Sequence, residues 1–333
     1  MGGQSTARLI GALAIVGAIL AGAPGSATAL GPYPDLGECQ VFPDPPPSLS
    51  PRAPSLPNQA AWNQDVSKAP VARNSAATIA YIDGQGGDFL HPDFGSPRAY
   101  GFPYAVVGTG QPRLPVRYTA YGDESDPGPF PIPSGAPVEG GRSSDGDRHV
   151  LVVDRSRCIL YELYRAFFEP GERPRWNADS GARWDLRSTA LRPDSWTSAD
   201  AAGLPIFPGL VRYDEAAAGR VDHAIRVTFE STRDAWVHPA SHCAGDTANP
   251  AAPPMGARLR LKSGYGLRSF SGPALAIARA LKRYGMIVAD NGSNWFFSGS
   301  SDRRWDDENL NQLKRIPGRA FEVVRSAARA RPC

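Results

Sequence analysis

Residues 176–215 hold tryptophan and tyrosine next to aspartate, glutamate and arginine, the most unusual composition in the chain. Aromatic faces stack on the C–H groups of sugars while carboxylates hold the hydroxyls, so this mixture predicts a sugar-binding cleft. Cleavage of a glycosidic bond also needs two carboxyl groups, about 5–5.5 Å apart for retention or about 6.5–9.5 Å for inversion. The alternative is a long structural loop fastened by its Trp and Pro residues.

Two carboxylates of this stretch are the main candidates for such chemistry. We predict that Glu215 is the proton donor, with a pKa raised by burial, and that Asp200 is its partner. The side chains expected to bind the substrate are Trp184, Trp196, Tyr213, Asp214 and Asp290.

His149 is a third catalytic candidate. It follows Asp145 and Asp147 at the start of a predicted strand, and an imidazole can act as acid or base because its unperturbed pKa lies near neutrality. The alternative is a hydrogen-bonded turn with a half-exposed histidine. We expect loops 139–149 and 194–215 to meet near Asp290 and to line the main cleft, because loops on a rigid scaffold commonly carry function.

Two short segments have the composition of metal sites. Residues 121–129 bring three acids into a Pro-stiffened turn that could hold a structural calcium ion, although acids in turns also cap or solvate them. His238 and His242 are four residues apart, but Pro239 between them favours a loop over a helical metal site. We expect no cofactor, with structural calcium as the open alternative.

Other function classes are disfavoured by composition and by missing motifs. The net charge is +3, so neither nucleic acid nor an anionic membrane surface is an expected electrostatic partner. The G-x-S-x-G elbow, the H-E-x-x-H pair and the P-loop are absent from the sequence, which removes the best-specified hydrolase, zinc protease and nucleotide-binding interpretations.

The candidate residues must be positioned by a β-rich scaffold. Short apolar runs recur between turn signals without alternating helices, which predicts an all-β fold: an antiparallel sandwich, jelly-roll-like, with two or three short peripheral helices. Asn291-Gly292 predicts a hairpin, and residues 154–157 predict another. Helices are predicted after Ser271 and after Asp306. The predicted strands are 78–82, 104–107, 116–121, 149–153, 159–164, 223–229, 235–238, 258–262, 286–289, 295–297 and 321–324.

The chain divides into four parts. Residues 1–29 have the charged, apolar and Ala-x-Ala order of a secretory signal peptide, and the apolar run is too short to span a membrane comfortably, so we expect a secreted protein with no membrane span after processing. Residues 30–71 form a Pro-rich strap or linker. Residues 72–326 form one β-sandwich domain, expected to be monomeric, and 327–333 form a tail.

Four cysteines in a secreted chain predict two disulfides. The sequence alone allows three pairings, of which we prefer Cys39 with Cys333 and Cys158 with Cys243, the first tying the chain ends together.

Three phrases, at residues 146–154, 196–206 and 284–293, resemble those of a family of secreted bacterial proteins without an assigned activity. The similarity covers roughly residues 72–324. It implies an exported single-domain protein and transfers no catalytic residue.

These observations lead to two hypotheses. The first is a secreted carbohydrate-active enzyme, a glycoside hydrolase or lyase acting on extracellular polysaccharide. The second is a non-catalytic protein that binds a glycan or another cell-surface ligand, or a structural envelope protein, since sandwiches host both kinds of function.

Overall fold

The computed structural model describes Leu36, Cys39 and residues 61–95 and 100–333. The expected signal peptide and most of the Pro-rich strap lie outside these residues. In the described ranges the helices are α1 (Ser75–Gly84), α2 (Tyr213–Ala217), α3 (Gly272–Arg283) and α4 (Asp307–Asn311). The strands are β1 (Tyr104–Val107), β2 (Val116–Tyr118), β3 (Val150–Asp154), β4 (Ile159–Tyr164), β5 (Phe167–Glu169), β6 (Arg175–Ala178), β7 (Ser180–Asp185), β8 (Ile225–Phe229), β9 (Arg233–Trp236), β10 (Pro254–Met255), β11 (Arg258–Leu261), β12 (Met286–Asn291), β13 (Phe296–Phe297), β14 (Phe321–Val323) and β15 (Arg331–Pro332).

The strands form four sheets, which we label A to D. The strand orders are β1-β3-β4-β7 in sheet A, β2-β6-β5 in sheet B, β13-β8-β12-β11-β14 in sheet C and β10-β9-β15 in sheet D. Each sheet contains one parallel pair, for example β1 with β3 and β8 with β12. The fold is therefore β-rich, as predicted, but its sheets are mixed rather than antiparallel. Parallel pairs join strands that are distant in sequence, so local turn signals do not reveal them.

Sheet A is buried on both faces. Val150 and Val152 of β3 pack with Trp176 of sheet B in one apolar cluster, whereas Leu151 and Val153 pack against the loop at 199–210 in another. Both faces are covered, so β3 is a continuous apolar run instead of an alternating one. The turn at 154–157 joins β3 to β4 as the predicted antiparallel hairpin.

Helices cover sheet C, and their apolar side chains pack with those of the sheet in the largest apolar cluster of the described residues. Helix α3 follows Ser271 as predicted and buries Ala274, Ile277 and Leu281 along one stripe. Helix α4 begins after Asp306, whose side chain accepts a hydrogen bond from the Glu308 amide. Both helix predictions are confirmed. No helix in the described ranges combines the length and the apolar composition of a membrane span.

The predicted strand at 78–82 is wrong, because these residues belong to helix α1. The β-branched residues Thr78, Ile79 and Ile82 favoured a strand by propensity. Together with Ser75, however, the buried positions follow the i, i+3, i+4, i+7 spacing of one helical face.

The predicted hairpin at Asn291-Gly292 is also wrong. Strand β12 continues through Asn291 and pairs with β8 in parallel, while β13 pairs with the other edge of β8 in the antiparallel sense. The connection between them therefore crosses over β8. The left-handed residue in this connection is Trp295, with φ +62°. Its buried indole donates a hydrogen bond to Asp83.

Two disulfides join Cys39 to Cys158 and Cys243 to Cys333. Both pairs differ from the preferred pairing. Strand β15 pairs with β9, which brings the C-terminal Cys333 beside the loop that follows β9 and carries Cys243. Cys158 lies in the β3–β4 turn, where Cys39 reaches it across a Cα separation of 5.1 Å. The tail at 327–333 is therefore fastened to the body.

Residues 61–71, which we assigned to the strap, contact the body. A 3₁₀ turn spans Ala61–Asn63, and Trp62 is buried in the core under sheet C. The carbonyl of Trp62 accepts a hydrogen bond from the amide of Ala224, just before β8. Packed residues therefore begin before position 72.

Candidate functional site

A cavity of about 270 Å³ lies between the residues that precede strand β3 of sheet A and strands β8, β12 and β13 of sheet C. Its charged lining residues are Asp93, Glu139, Asp147, His149, Arg226 and Asp290. Loop 139–149 therefore does reach Asp290, as predicted. The loop at 194–215 does not line this cavity. Its residues Ala199 and Asp200 instead contact His149 and Arg226, which do.

A β-bulge in strand β12 places Asp290 in this cavity. Val288 pairs with Val227 and Asp290 pairs with Thr228, so Ala289 is an extra residue between them. Paired residues share a face of a sheet, and Thr228 is on the same face of β8 as Arg226. Without the bulge, Ala289 would pair with Thr228 and take the place of Asp290 on the face of Arg226, because a shift of one residue exchanges the two faces.

Arg226 is the buried cation of the site. Its guanidinium donates to both oxygens of Asp200, to Asp290 Oδ2 at 2.7 Å and to Ser298 Oγ at 3.1 Å. Arg226 is 3% exposed and Asp200 is 1% exposed, so both charges are removed from water. Such burial is tolerated only with complete pairing. The Phe102 ring lies against the guanidinium, with 5.4 Å between the guanidinium carbon and the ring centroid.

One arginine therefore serves two carboxylates. Burial raises the pKa of Asp290 to about 6. Arg226 acts in the opposite direction, but the nearby Asp200 charge offsets part of its effect. The pKa of Asp200 is raised in the same direction, again chiefly by burial. Asp290 differs from Asp200 in its access, because a quarter of its side chain is exposed and it lines the cavity.

His149 is held as a cation and is not free to act as a base. Its Nδ1 contacts Glu139 Oε2 at 2.5 Å and its Nε2 contacts the Ala199 carbonyl at 2.9 Å. A carboxylate and a carbonyl only accept hydrogen bonds, so both ring nitrogens must carry protons. Burial opposes this charge, but the Glu139 carboxylate outweighs it and raises the pKa of His149 to about 9. The same pair lowers the pKa of Glu139, against the effect of its burial.

The backbone before His149 is constrained as well. Arg148 has a left-handed φ of +53°, which is unfavourable for a residue with a side chain. Its guanidinium fixes this conformation by donating to the carbonyls of Arg142, Ser144 and Ala166. Loop 139–149 is therefore a preformed wall of the cavity.

A second buried carboxylate, Glu162, anchors the loop behind the site. Its oxygens accept hydrogen bonds from the amides of Ile206 and Phe207 and from the indole of Trp184. It is fully buried, and burial raises its pKa to about 7 despite these donors. Glu162 therefore links strand β4 of sheet A to the loop at 199–210 through these hydrogen bonds.

The aromatic part of the lining comes from residues that the sequence analysis did not name as binding residues. These are Phe94, Tyr100, Phe102, Phe296 and Phe297. Tyr100 is 60% exposed and lies 6.2 Å from Phe296 between ring centroids. Phe296 stacks on His91, which in turn stacks on Phe89.

The predicted substrate-binding tryptophans have another partner. The guanidinium of Arg192 lies over both Trp184 and Trp196, with its central carbon 5.6 Å and 5.4 Å from the two ring centroids. Arg192 is also paired with Asp126. Neither tryptophan lines the cavity. An internal arginine therefore covers one face of each ring, outside the cavity.

Glu215 is also away from the cavity. It accepts hydrogen bonds from the Arg212 amide and guanidinium and from His223 Nε2, at the start of helix α2. Burial would raise its pKa, but Arg212 and His223 outweigh this and hold the pKa of Glu215 below its ordinary value. That is opposite to the predicted direction for a proton donor. Tyr213 and Asp214 contact Arg304 instead of the cavity.

Two of the three acids of residues 121–129 have protein partners. Asp126 accepts from Arg192 and the Arg183 amide, and Glu124 accepts from the Thr197 amide. Among the described residues, three metal-ligand atoms come within 4.8 Å of one another only at Asp234, Cys243 and Cys333, where both cysteines form a disulfide. His238 and His242 lie in a loop and face different acids, Asp194 and Glu124.

The sequence analysis did not predict Arg226, Tyr100 and Phe102 as site residues, and it included Glu139 only as the first residue of loop 139–149. Arg226 is the arginine of the apolar run AIRVTF, and a charge inside such a run is the one signal that could have found it. In comparisons with protein families, curated proteins and solved structures, no match to this chain is found.

Proposed function

We propose that this chain is a secreted carbohydrate-active protein whose cavity hydrolyses glycosidic bonds in an extracellular polysaccharide or cell-surface glycan. The observation that carries the proposal is the placement of two carboxylates, Asp290 and Asp147, on one cavity with an aromatic wall. Stacking surfaces and paired acids are what sugar binding and cleavage require. Two disulfides fit an oxidising compartment, in agreement with the leader predicted at 1–29.

Asp290 takes the role of the general acid. Its pKa of about 6 keeps part of the population protonated near neutrality, and its position on the cavity gives it access to a glycosidic oxygen. Asp147 is the second carboxylate. It is exposed on the rim of the cavity, where its charge stabilises the positive charge that develops on the sugar ring and can activate water.

The charges favour hydrolysis of a glycosidic bond over elimination in a uronate polymer. A polyuronate lyase binds the carboxylate of each sugar unit, so its site needs available cations. Here Arg226 is already shared by two carboxylates and His149 is paired with Glu139. A substrate carboxylate would therefore face the negative side chains of Asp147 and Asp290.

Within the same proposal, we assign sheets A and B to a small β sandwich that carries loop 139–149. Support comes from the shared apolar cluster of the two sheets, to which Tyr161 and Trp176 contribute. We further propose that the protein acts as a monomer.

The proposal is tested by a reducing-sugar screen of the secreted protein across neutral and amino polysaccharides. Asp290→Asn keeps the shape of the side chain and removes the proton donor, so activity should fall by about 10²-fold or more. Glu215→Gln is the matched control, because Glu215 is also a partly exposed, arginine-paired acid but lies outside the cavity. It should retain activity within a few-fold.

The outcome of the screen separates the two hypotheses. Loss of activity in Glu215→Gln but not in Asp290→Asn, with both proteins folded, would overturn the role of Asp290. Glycan binding without release of reducing ends from any polymer would support the non-catalytic alternative.

A further inference from the structure

The charges that the described residues place around the cavity do not balance. Asp93 is paired with Lys314 and His91, and Glu139 is paired with His149. Arg226 is divided between Asp200 and Asp290, which leaves one of these two negative charges without its own cation when both are ionised. Burial of unbalanced charge is costly unless a ligand or a proton compensates it.

Asp147 adds a further negative charge at the rim. Within the described ranges, its carboxylate forms no hydrogen bond or ion pair. Its charge acts through space on Asp290, His149 and Tyr164. Among the described residues, the cavity therefore has an excess of negative charge next to an accessible face. A sulfate, phosphate or uronate group would be repelled, and a cation would be attracted.

The other lining groups indicate whether this cation is a metal ion or an organic ammonium group. In the described part of the chain, the lining acids do not bring three ligand atoms within 4.8 Å of one another, so they do not form a compact metal site. Part of the lining is aromatic, with Tyr100 largely exposed and Phe296 half-buried. An aromatic wall binds the C–H face of a sugar and also attracts an organic ammonium group.

We infer that the cavity selects a sugar unit that carries a protonated amine, such as a glucosamine unit of a polysaccharide. The ammonium group is held by the carboxylate of Asp147 at the rim, while the sugar ring packs against Tyr100 and Phe296 and Asp290 keeps its role as the proton donor. This inference rests on the proposed function in one respect, that the cavity binds a glycan. It adds the charge of the substrate, which the proposal leaves open.

The test compares three tetrasaccharides by titration calorimetry: β-1,4-linked glucosamine, its fully N-acetylated form and the corresponding glucose oligomer. These share a backbone and differ at the amine. At low salt and pH 6, the glucosamine tetramer should bind at least tenfold more tightly than the other two. The advantage should shrink as salt is added, because the attraction is between charges near solvent.

Asp147→Asn should reduce this advantage about fivefold or more. Asp145→Asn is the matched control, because Asp145 is an exposed acid two residues away that does not line the cavity. It should behave like the wild type. An equal loss in both variants would show a general charge effect and overturn the assignment to Asp147.

Failure of this inference differs from failure of the proposed function. If the neutral tetramers bind as tightly as the glucosamine tetramer, or if the polysaccharide screen finds cleavage of a neutral polymer only, selection of an amine is overturned while glycan hydrolysis stands. If no oligomer binds and no polymer is cleaved, both proposals fall.

Discussion

Two clusters in this protein contain the same three kinds of side chain: an arginine, a histidine and carboxylates. The cavity cluster consists of Glu139, His149, Asp200, Arg226 and Asp290, and the cap cluster consists of Arg212, Glu215 and His223. In the cap cluster two donor side chains and a backbone amide surround one acid, which lowers its pKa. In the cavity cluster one arginine is shared by two acids, and the pKa of Asp290 is raised.

The difference shows that the ratio of cations to acids decides what a buried carboxylate does. Glu215 and Asp290 have similar exposed fractions, 18% and 24% of their side chains. The first is a stable anion that caps the start of helix α2, while the second can carry a proton next to a cavity. Residue type and burial alone would not distinguish them.

The largest expected effect is on stability when the shared cation is removed. Arg226→Met should lower the free energy of unfolding by about 3–5 kcal/mol, because it leaves two acids buried without a partner. Arg212→Met should cost clearly less, since Glu215 keeps His223 and the Arg212 amide. Urea denaturation of both variants measures this. Equal losses would contradict the difference between the two clusters.

His149 should make stability depend on pH in the alkaline range. Its pKa is raised from an ordinary 6.5 to about 9 in the folded state, so the stabilisation is fully present below pH 6.5 and is lost as pH rises through 9. This loss amounts to about 3 kcal/mol, as each pKa unit corresponds to about 1.4 kcal/mol.

The variants His149→Gln and Glu139→Gln should both flatten the pH dependence of the unfolding free energy between pH 6.5 and 9. The second acts because it removes the carboxylate that raises the pKa. An unchanged slope in both variants would show that His149 is not protonated in the native protein.

The two acids should give slopes of opposite sign at lower pH. Because the pKa of Asp290 is raised to about 6, its contribution is present below pH 4 and is lost as pH rises through 6. The pKa of Glu215 is lowered, so its contribution is present above its ordinary pKa and is lost as pH falls through the depressed value.

Unfolding free energies of Asp290→Asn and Glu215→Gln between pH 3 and 7 test this. The unfolding free energy of the wild type should decline as pH rises from 4 to 6, and Asp290→Asn should remove that decline. At more acidic pH the unfolding free energy should rise with pH, and Glu215→Gln should remove that rise. Slopes of the same sign would mean that the two carboxylates have equivalent surroundings.

The smallest expected effect concerns the aromatic residues. Tyr100→Ala should weaken binding of a glycan found in the screen about fivefold, because it removes an exposed ring from the cavity wall. Trp196→Ala should leave that affinity unchanged, since its ring lies against Arg192. Calorimetric titration decides between them, and a larger loss with Trp196→Ala would restore the predicted cleft.

Local patterns predicted much of the secondary structure. Strand β4 has the predicted bounds, helix α3 begins after its predicted cap, and the β3–β4 hairpin lies at its turn residues. These features depend on contacts between residues close in sequence, where propensity and turn chemistry act. Helix α1 was missed because β-branched residues there pack on a helical face.

The site was predicted only in part for the same reason. His149 and Asp290 were named from composition and loop position, and both line the cavity. Arg226 was not named, because its role requires strands β8 and β12 to be parallel neighbours across a connection of more than fifty residues. Trp184, Trp196 and Glu215 are residue types that suit a sugar site, but each contacts an arginine of the protein instead. Arg192 lies over the two indole rings and Arg212 pairs with Glu215.

The sequence by itself determined the β-rich character, the apolar strand β3, helix α3 and the presence of two disulfides, since these follow from residue type and short-range spacing. Only the tertiary structure decided the cysteine pairing, the parallel strands and the bulge at Ala289 that turns Asp290 towards Arg226. The physical reason is that charge balance and burial are sums over neighbours from distant parts of the chain. The same carboxyl group becomes a helix cap or a proton donor according to which cations the fold brings beside it.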